Sequence, residues 1–239
     1  MIPREIIELK NLYPMRGSVF IYLAIRRSLD DKAYIMLNDL VEFSGNKPDK
    51  NKDGINHKFI VLLDALESID YFVKKKGNYS GSKAVILLLN NEKFDIPNSF
   101  AYITLSEIDK IHNYKTKSYK VSFSNLVLVL AYIRVNKLRR SENQQSNPKK
   151  KPEFFYKQIK SISEDIGLSE RTTAKCIQAL NDLDIIVSKS MPRYKDKYDH
   201  WHTDVTLFVD KLDGWEDELQ WGEEFLLKNK VLYEEDRQA

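Results

Sequence analysis

Residues Ser161–Leu183 read Ser-Ile-Ser-Glu-Asp-Ile-Gly-Leu-Ser-Glu-Arg-Thr-Thr-Ala-Lys-Cys-Ile-Gln-Ala-Leu-Asn-Asp-Leu. Ser161 with Glu164 three residues on has the spacing of a capping box, which opens a short helix by satisfying its orphan N–H groups. Gly167 admits a sharp turn after Ile166, and Leu168 is placed to drop into the core and pin that turn. Ser169 then caps a second helix, on which Ile177, Leu180 and Leu183 recur at helical spacing and are expected to face inward. Helix, glycine turn and helix together form the helix-turn-helix pattern.

The end of this stretch has a counterpart upstream. Ala65-Leu66-Glu67-Ser68-Ile69-Asp70-Tyr71-Phe72-Val73 resembles Ala179-Leu180-Asn181-Asp182-Leu183-Asp184-Ile185-Ile186-Val187, sharing Ala-Leu-x-x-aliphatic-Asp-x-apolar-Val at a separation of 114 residues. In each copy an amphipathic helix ends, an Asp turns the chain and a β-prone run begins. In the first copy Phe72–Lys76 leads through Gly77-Asn78-Tyr79-Ser80-Gly81-Ser82 into Lys83–Leu89, which reads as a hairpin. In the second, Ile185–Lys189 is followed by a longer loop, Ser190–His202, and a β-branched run, Thr203–Val209. Two further helices, Ser18–Leu29 and Leu126–Leu138, carry a matching Ile-Arg pair near their ends, Ile25-Arg26 and Ile133-Arg134. Two related domains are therefore expected. The first copy would use Leu37–Phe43 as its short helix and Gly54–Ile69 as its long one, separated by the long segment Gly45–Asp53. The boundary is expected near Asn90–Ser99, with Tyr102–Ile108 opening the second unit as a strand or short helix.

On the outward face of the second helix of the quoted motif stand Arg171, Thr172, Lys175 and Gln178, with Glu170 beside them and Ser169 at the cap. Arg, Thr and Gln are types that reach base edges in the major groove, and Lys neutralises phosphate. The sequence resembles the winged-helix family from Leu126 to Val209, where a helix-turn-helix precedes a two-stranded wing. That resemblance implies groove contacts for Arg171, Thr172, Lys175 and Gln178, and backbone or minor-groove contacts for Arg193, Lys195 and Lys197 in the wing. Tyr194, Tyr198, His200 and Trp201 lie among those bases, with packing onto its own domain as the competing use of Trp201. In the first copy Asn56, His57 and Lys58 would stand near the start of the long helix, and Lys74, Lys75, Lys76 and Lys83 would charge the wing. DNA contact or dimerisation would suit that copy.

The resemblance thus implies a fold that is mainly α with small β-hairpins, an α+β chain of two winged-helix domains in tandem, 1–95 and 96–212, followed by an acidic amphipathic tail, 213–239. Two winged helices in a chain rich in Lys, Asn, Ile and Tyr look like the replication initiators of plasmids, phages and integrative elements in low-GC Gram-positive bacteria. The motif also resembles the winged helix of RepA-type initiators and DnaD-type primosomal proteins. What this implies is sequence-specific binding of double-stranded DNA at origin repeats and recruitment of a helicase loader or other replication protein. A transcription regulator with two winged helices, or a winged-helix protein-interaction module, would share the same fold.

Charge fits a polyanion partner. Residues from Asp213 onward carry nine acids against three bases, or −6, and the formal total of +3 leaves +9 for residues 1–212. Trp215, Trp221, Phe225 and Leu226 in that acidic tail have amphipathic helical spacing, fit to dock on a partner, cover the protein's own core or pair two subunits. Residues 139–152 are polar, without hydrophobic periodicity, and read as a flexible basic loop. The lone Cys176 forms no internal disulfide and reads as a small helix residue. His200-x-His202 supplies two ligands at most, too few for a metal site. No phosphate-binding glycine loop, zinc motif or nucleophile elbow occurs, so neither an enzyme nor a cofactor is expected. The longest apolar run, Leu126–Ile133, is far short of a membrane span, and Met1–Glu5 lacks a signal-peptide layout, which points to the cytoplasm.

Overall fold

The computed structural model describes residues 2–49, 51, 53–95, 100–115, 120–137, 153–192, 194–196, 201–202, 205–228 and 230–231. It is an α+β chain whose sheets are small and antiparallel. The chain divides into two compact units, Met1–Val135 with Asp165–Leu168, and Asn136–Glu164 with Ser169–Ala239.

The first unit runs β1 (Ile2–Pro3), α1 (Arg4–Glu8), α2 (Arg16–Arg26), β2 (Lys32–Met36), α3 (Leu37–Phe43), α4 (Ile55–Ser68), β3 (Phe72–Lys76), β4 (Ala84–Leu89), α5 (Asn91–Asp95), β5 (Phe100–Ala101), α6 (Leu105–Asn113) and α7 (Phe123–Val135). β4 is central in the sheet β2-β4-β3, and β1 pairs with β5. The boundary expected at 90–99 falls inside this unit, as do α6 and α7, which were expected to open the second. The reason lies in α7. Every residue of it except Asn125 is buried, and a helix that is apolar on all sides needs neighbours on all sides. It finds them in α1, α2, α6 and β5. Gly17 on α2 allows a close approach, since a Cβ there would lie 3.3 Å from Val127 Cγ1.

The rest comprises β6 (Phe155–Gln158), α8 (Ile159–Ile166), α9 (Glu170–Asp182), β7 (Ile186–Ser190), β8 (Tyr194–Asp196), β9 (Trp201–His202), β10 (Val205–Asp210), α10 (Trp215–Lys228) and β11 (Lys230–Val231). The order β6-β10-β7 matches β2-β4-β3, and α8 follows β6 without a break as α3 follows β2. Ser161 consequently does not open α8; the helix starts at Ile159 and Ser161 lies inside it. The capping box is found instead at Thr104 and Glu107, at the head of α6. The segment Ser190–His202, expected as a plain loop, contains β8 and β9, and β11 pairs with β8 so that Lys230 faces Asp196 and Val231 faces Lys195.

The repeat extends to individual hydrogen bonds. Asp70 (φ 60°) and Asp184 (φ 52°) are both left-handed, a conformation that Asp tolerates better than most side chains. In each copy two bonds close the helix end: Asp70 N to Glu67 O (3.0 Å) with Tyr71 N to Leu66 O (3.0 Å), and Asp184 N to Asn181 O (2.9 Å) with Ile185 N to Leu180 O (3.1 Å). This is the Schellman arrangement with Asp in the usual glycine place. The side chain at the same helix position then accepts from the following strand, Glu67 Oε1 from Lys74 N (2.7 Å) and Asn181 Oδ1 from Ser188 N (2.9 Å). The copies differ in their connections. The interhelical segment is residues 44–54 in the first and 167–169 in the second, and the hairpin connection is 77–83 against 191–204.

α10 packs its apolar side on the outer face of β6-β10-β7. Leu226, with Trp215, Leu219, Trp221 and Phe225, covers Phe154, Val205, Leu207 and Val209. Of the three uses expected for this helix, covering the protein's own core is therefore the one its apolar face serves. Gly222 permits the approach: a Cβ there would lie 2.9 Å from Leu207 Cδ1 and 3.2 Å from Phe154 Cγ. Gly222→Ala is expected to cost about 1–3 kcal/mol through overpacking, read as a lower urea midpoint with a shift in tryptophan emission. An unchanged midpoint would mean that α10 is not held at this distance.

Candidate nucleic-acid interface

α9 begins where Ser169, in extended conformation, accepts a hydrogen bond from Thr172 N (3.1 Å); its hydroxyl also lies 2.8 Å from Thr172 Oγ1. Thr173 Oγ1 donates back to Ser169 O (3.2 Å). Thr173, Cys176, Ile177, Ala179 and Leu180 are buried, whereas Leu183 is only half-buried. Burial pushes the Cys176 thiol up to about 12, so it stays protonated and inert at neutral pH. Glu170, Arg171 and Gln178 are exposed and Thr172 and Lys175 partly so, which sets the expected reading residues along one outer stripe of the helix. Gln178 Nε2 donates to Asp182 Oδ1 (2.7 Å). Asn181 ties α9 to β7, donating to Ser188 Oγ (2.8 Å) in addition to its backbone bond.

The turn preceding α9 is held by a residue the sequence reading did not single out. Arg16 is fully buried, and its guanidinium donates to the carbonyls of Ile6 (2.9 Å), Ile7 (2.7 Å), Leu12 (3.2 Å), Tyr13 (3.4 Å) and Ile166 (2.9 Å). Ile166 is the last residue of α8, so Arg16 reaches the backbone one residue before the turn glycine. Asp165 beside it accepts from Tyr132 Oη (2.5 Å) and Lys10 Nζ (3.3 Å). Gly167 has φ 74°, and a Cβ there would meet Lys10 O at 3.1 Å, so both backbone angle and space favour glycine. A signal for Arg16 exists in the sequence: it stands on the same helical stripe as Val19, Phe20 and Leu23, a cation where the pattern calls for an apolar residue.

In the β7–β10 connection, Trp201 is 47% exposed. Tyr194 and Lys195 take part in β8. Arg193, Lys197, Tyr198 and His200 lie outside the described residues, as does the basic segment 139–152.

The first copy is built differently. Asn56 is engaged internally, accepting from Asp49 N (2.9 Å) and donating to Asn38 Oδ1 (3.1 Å), whereas His57 and Lys58 are exposed. Lys58 Nζ lies 5.9 Å from the Tyr13 ring centroid and Lys74 Nζ 4.7 Å from that of Tyr79. Lys76 is exposed, and Lys75 takes part in β3. Asn38 N donates to Gly81 O (3.1 Å), tying the hairpin tip to the start of α3. An open cleft of about 900 Å³ remains between α3, the start of α4 and this tip, and Glu42 and Asp49 contribute to its lining.

Among the described residues, no group of three or more His, Cys, Asp or Glu is placed to hold a metal ion, and no helix is long and apolar enough to cross a membrane. No protein-family model matches the chain, and no curated protein matches it.

Proposed function

We propose that this chain is a sequence-specific double-stranded-DNA-binding protein with two winged helices in tandem, acting as a replication initiator of a mobile element. The observation that carries the reading is α9. It is a capped second helix after a glycine turn, exposing Arg171 and Gln178 beside the three-stranded sheet β6-β10-β7. In this reading α9 enters the major groove and the β7–β10 connection lies along the backbone. The basic body supplies the sequence-independent part of the affinity.

A titration of labelled duplex against salt tests the reading: affinity should fall steeply as salt rises, and no duplex binding at low salt would defeat it. Fragments selected from random DNA then separate the roles. Direct repeats beside an AT-rich stretch support an initiator, and a single palindrome over a promoter would point to a regulator. Arg171→Ala is expected to weaken the selected site by about 1–3 kcal/mol while affecting non-specific duplex much less. Equal affinity of the two proteins for that site would remove Arg171 from the reading set.

One observation favours a protein partner for the first copy. Glu42 and Asp49 line the cleft at the start of α4, and carboxylates there oppose an approaching phosphate.

A further inference from the structure

The two copies treat the outer faces of their sheets unequally. On β6-β10-β7 that face includes Tyr156, Val187, Val205, Leu207 and Val209, and α10 covers it. By the repeat and the strand registers, the same places on β2-β4-β3 are held by Tyr34, Val73, Ala84, Ile86 and Leu88. Among the described residues nothing covers these to the same degree: Tyr34 is 50% exposed against 37% for Tyr156, Val73 is 49% exposed where Val187 is half-buried, and Ile86 and Leu88 are half-buried where Leu207 and Val209 are fully buried. A contiguous apolar sheet face left open in one copy and roofed in the other marks an interaction surface.

We infer that the outer face of β2-β4-β3 docks an amphipathic helix of another protein, acidic on its outer side and carrying a small residue where it crosses Ile86. The copy within the chain supplies the template for each property. α10 carries Glu216, Asp217, Glu218, Glu223 and Glu224 against the single base Lys228. Its Glu223 pairs with Lys189 of β7 (2.5 Å). The strand registers place Lys76 opposite Ile86 as Lys189 stands opposite Leu207, and Lys76 is exposed, so the first face offers the same complementary charge. Gly222 brings α10 onto Leu207, whose counterpart is Ile86. The helix therefore reads its sheet by aromatic and leucine anchors around one small residue, the helix-in-groove mode. This inference is independent of DNA binding.

A fluorescein-labelled peptide of residues 213–231, titrated into the full chain and followed by anisotropy, is the direct probe. Saturable binding is expected, weakened at least about tenfold by Tyr34→Glu and by Val73→Glu, two changes at half-exposed positions. The same peptide with Gly222→Leu should not bind. Circular dichroism of both variants, each expected to match the parent, keeps loss of binding distinct from loss of fold. Absence of binding would overturn the inference, as would binding unaffected by both substitutions, which would place the peptide on the second sheet in exchange for α10. Sedimentation of the chain alone tests the other occupant: a dimer abolished by Tyr34→Glu would assign the face to a second copy and overturn the heterologous helix.

Discussion

Replacing Arg16 with methionine is expected to destabilise the chain by about 3–5 kcal/mol, because it removes several charge-assisted hydrogen bonds to buried carbonyls at once. Burial lowers the guanidinium to about 10, so the group remains charged at neutral pH with carbonyl dipoles as its solvation. Methionine fills much of the volume and leaves the buried carbonyls of Ile6, Ile7 and Ile166 without this donor, each unsatisfied group costing about 1–3 kcal/mol before relaxation. Lysine is expected to be nearly as damaging, because one ammonium cannot serve carbonyls on α1, the 12–13 segment and the end of α8 together. Urea unfolding gives the loss directly. A hydrogen-exchange comparison should show the residues around Gly167 deprotected beyond what global destabilisation accounts for. A loss below about 1 kcal/mol would mean that water replaces the guanidinium.

Glu107→Gln should be the other large loss, and it should depend on pH. Glu107 and Arg134 form a bidentate pair, Nη1 to Oε2 at 2.9 Å and Nη2 to Oε1 at 2.5 Å, with side chains 15% and 9% exposed. Thr104 N donates to the same carboxylate (2.8 Å), and Arg134 Nη1 donates to Tyr102 O (2.6 Å). Burial alone would raise the pKa of Glu107, but the hydrogen bonds and charge of Arg134, with the Thr104 bonds, outweigh it and hold the carboxyl below its usual 4.5. Since the folded value lies below the unfolded one, the stabilisation is complete above that pH and lost as pH falls through the depressed value. The variant leaves Arg134 buried without its counter-charge and should cost about 3–5 kcal/mol at neutral pH. Its stability should converge with the parent's in acid; curves that stay parallel through the acid range would rule out a charge-based role.

The α8–α9 segment was legible because its features are local. Ser169 caps its own helix, Gly167 takes the backbone angle its turn needs, and Ile177 and Leu180 repeat at helical spacing, so each is decided within a few residues. The pattern at 65–73 and 179–187 was legible for the same reason: the Asp at the left-handed position and its two capping bonds span six residues. Ser161 and Glu164 misled because a capping box is only a spacing, and the strand running straight into α8 set the helix start instead.

What the sequence determined by itself is the alternation of short helices and β-prone runs, their duplication, and the identity of the outward stripe Arg171–Gln178. Each follows from periodicity and end-capping, which are properties of neighbouring residues. Only tertiary structure decided that α7 belongs with the first unit, that α10 roofs one sheet while its twin stays open, and that Arg16 carries the end of α8. Those outcomes depend on which apolar surface is nearest and which carbonyls converge, across separations as long as the 150 residues between Arg16 and Ile166. Apolar burial is non-directional, so an apolar stripe states that it must be covered without stating by what.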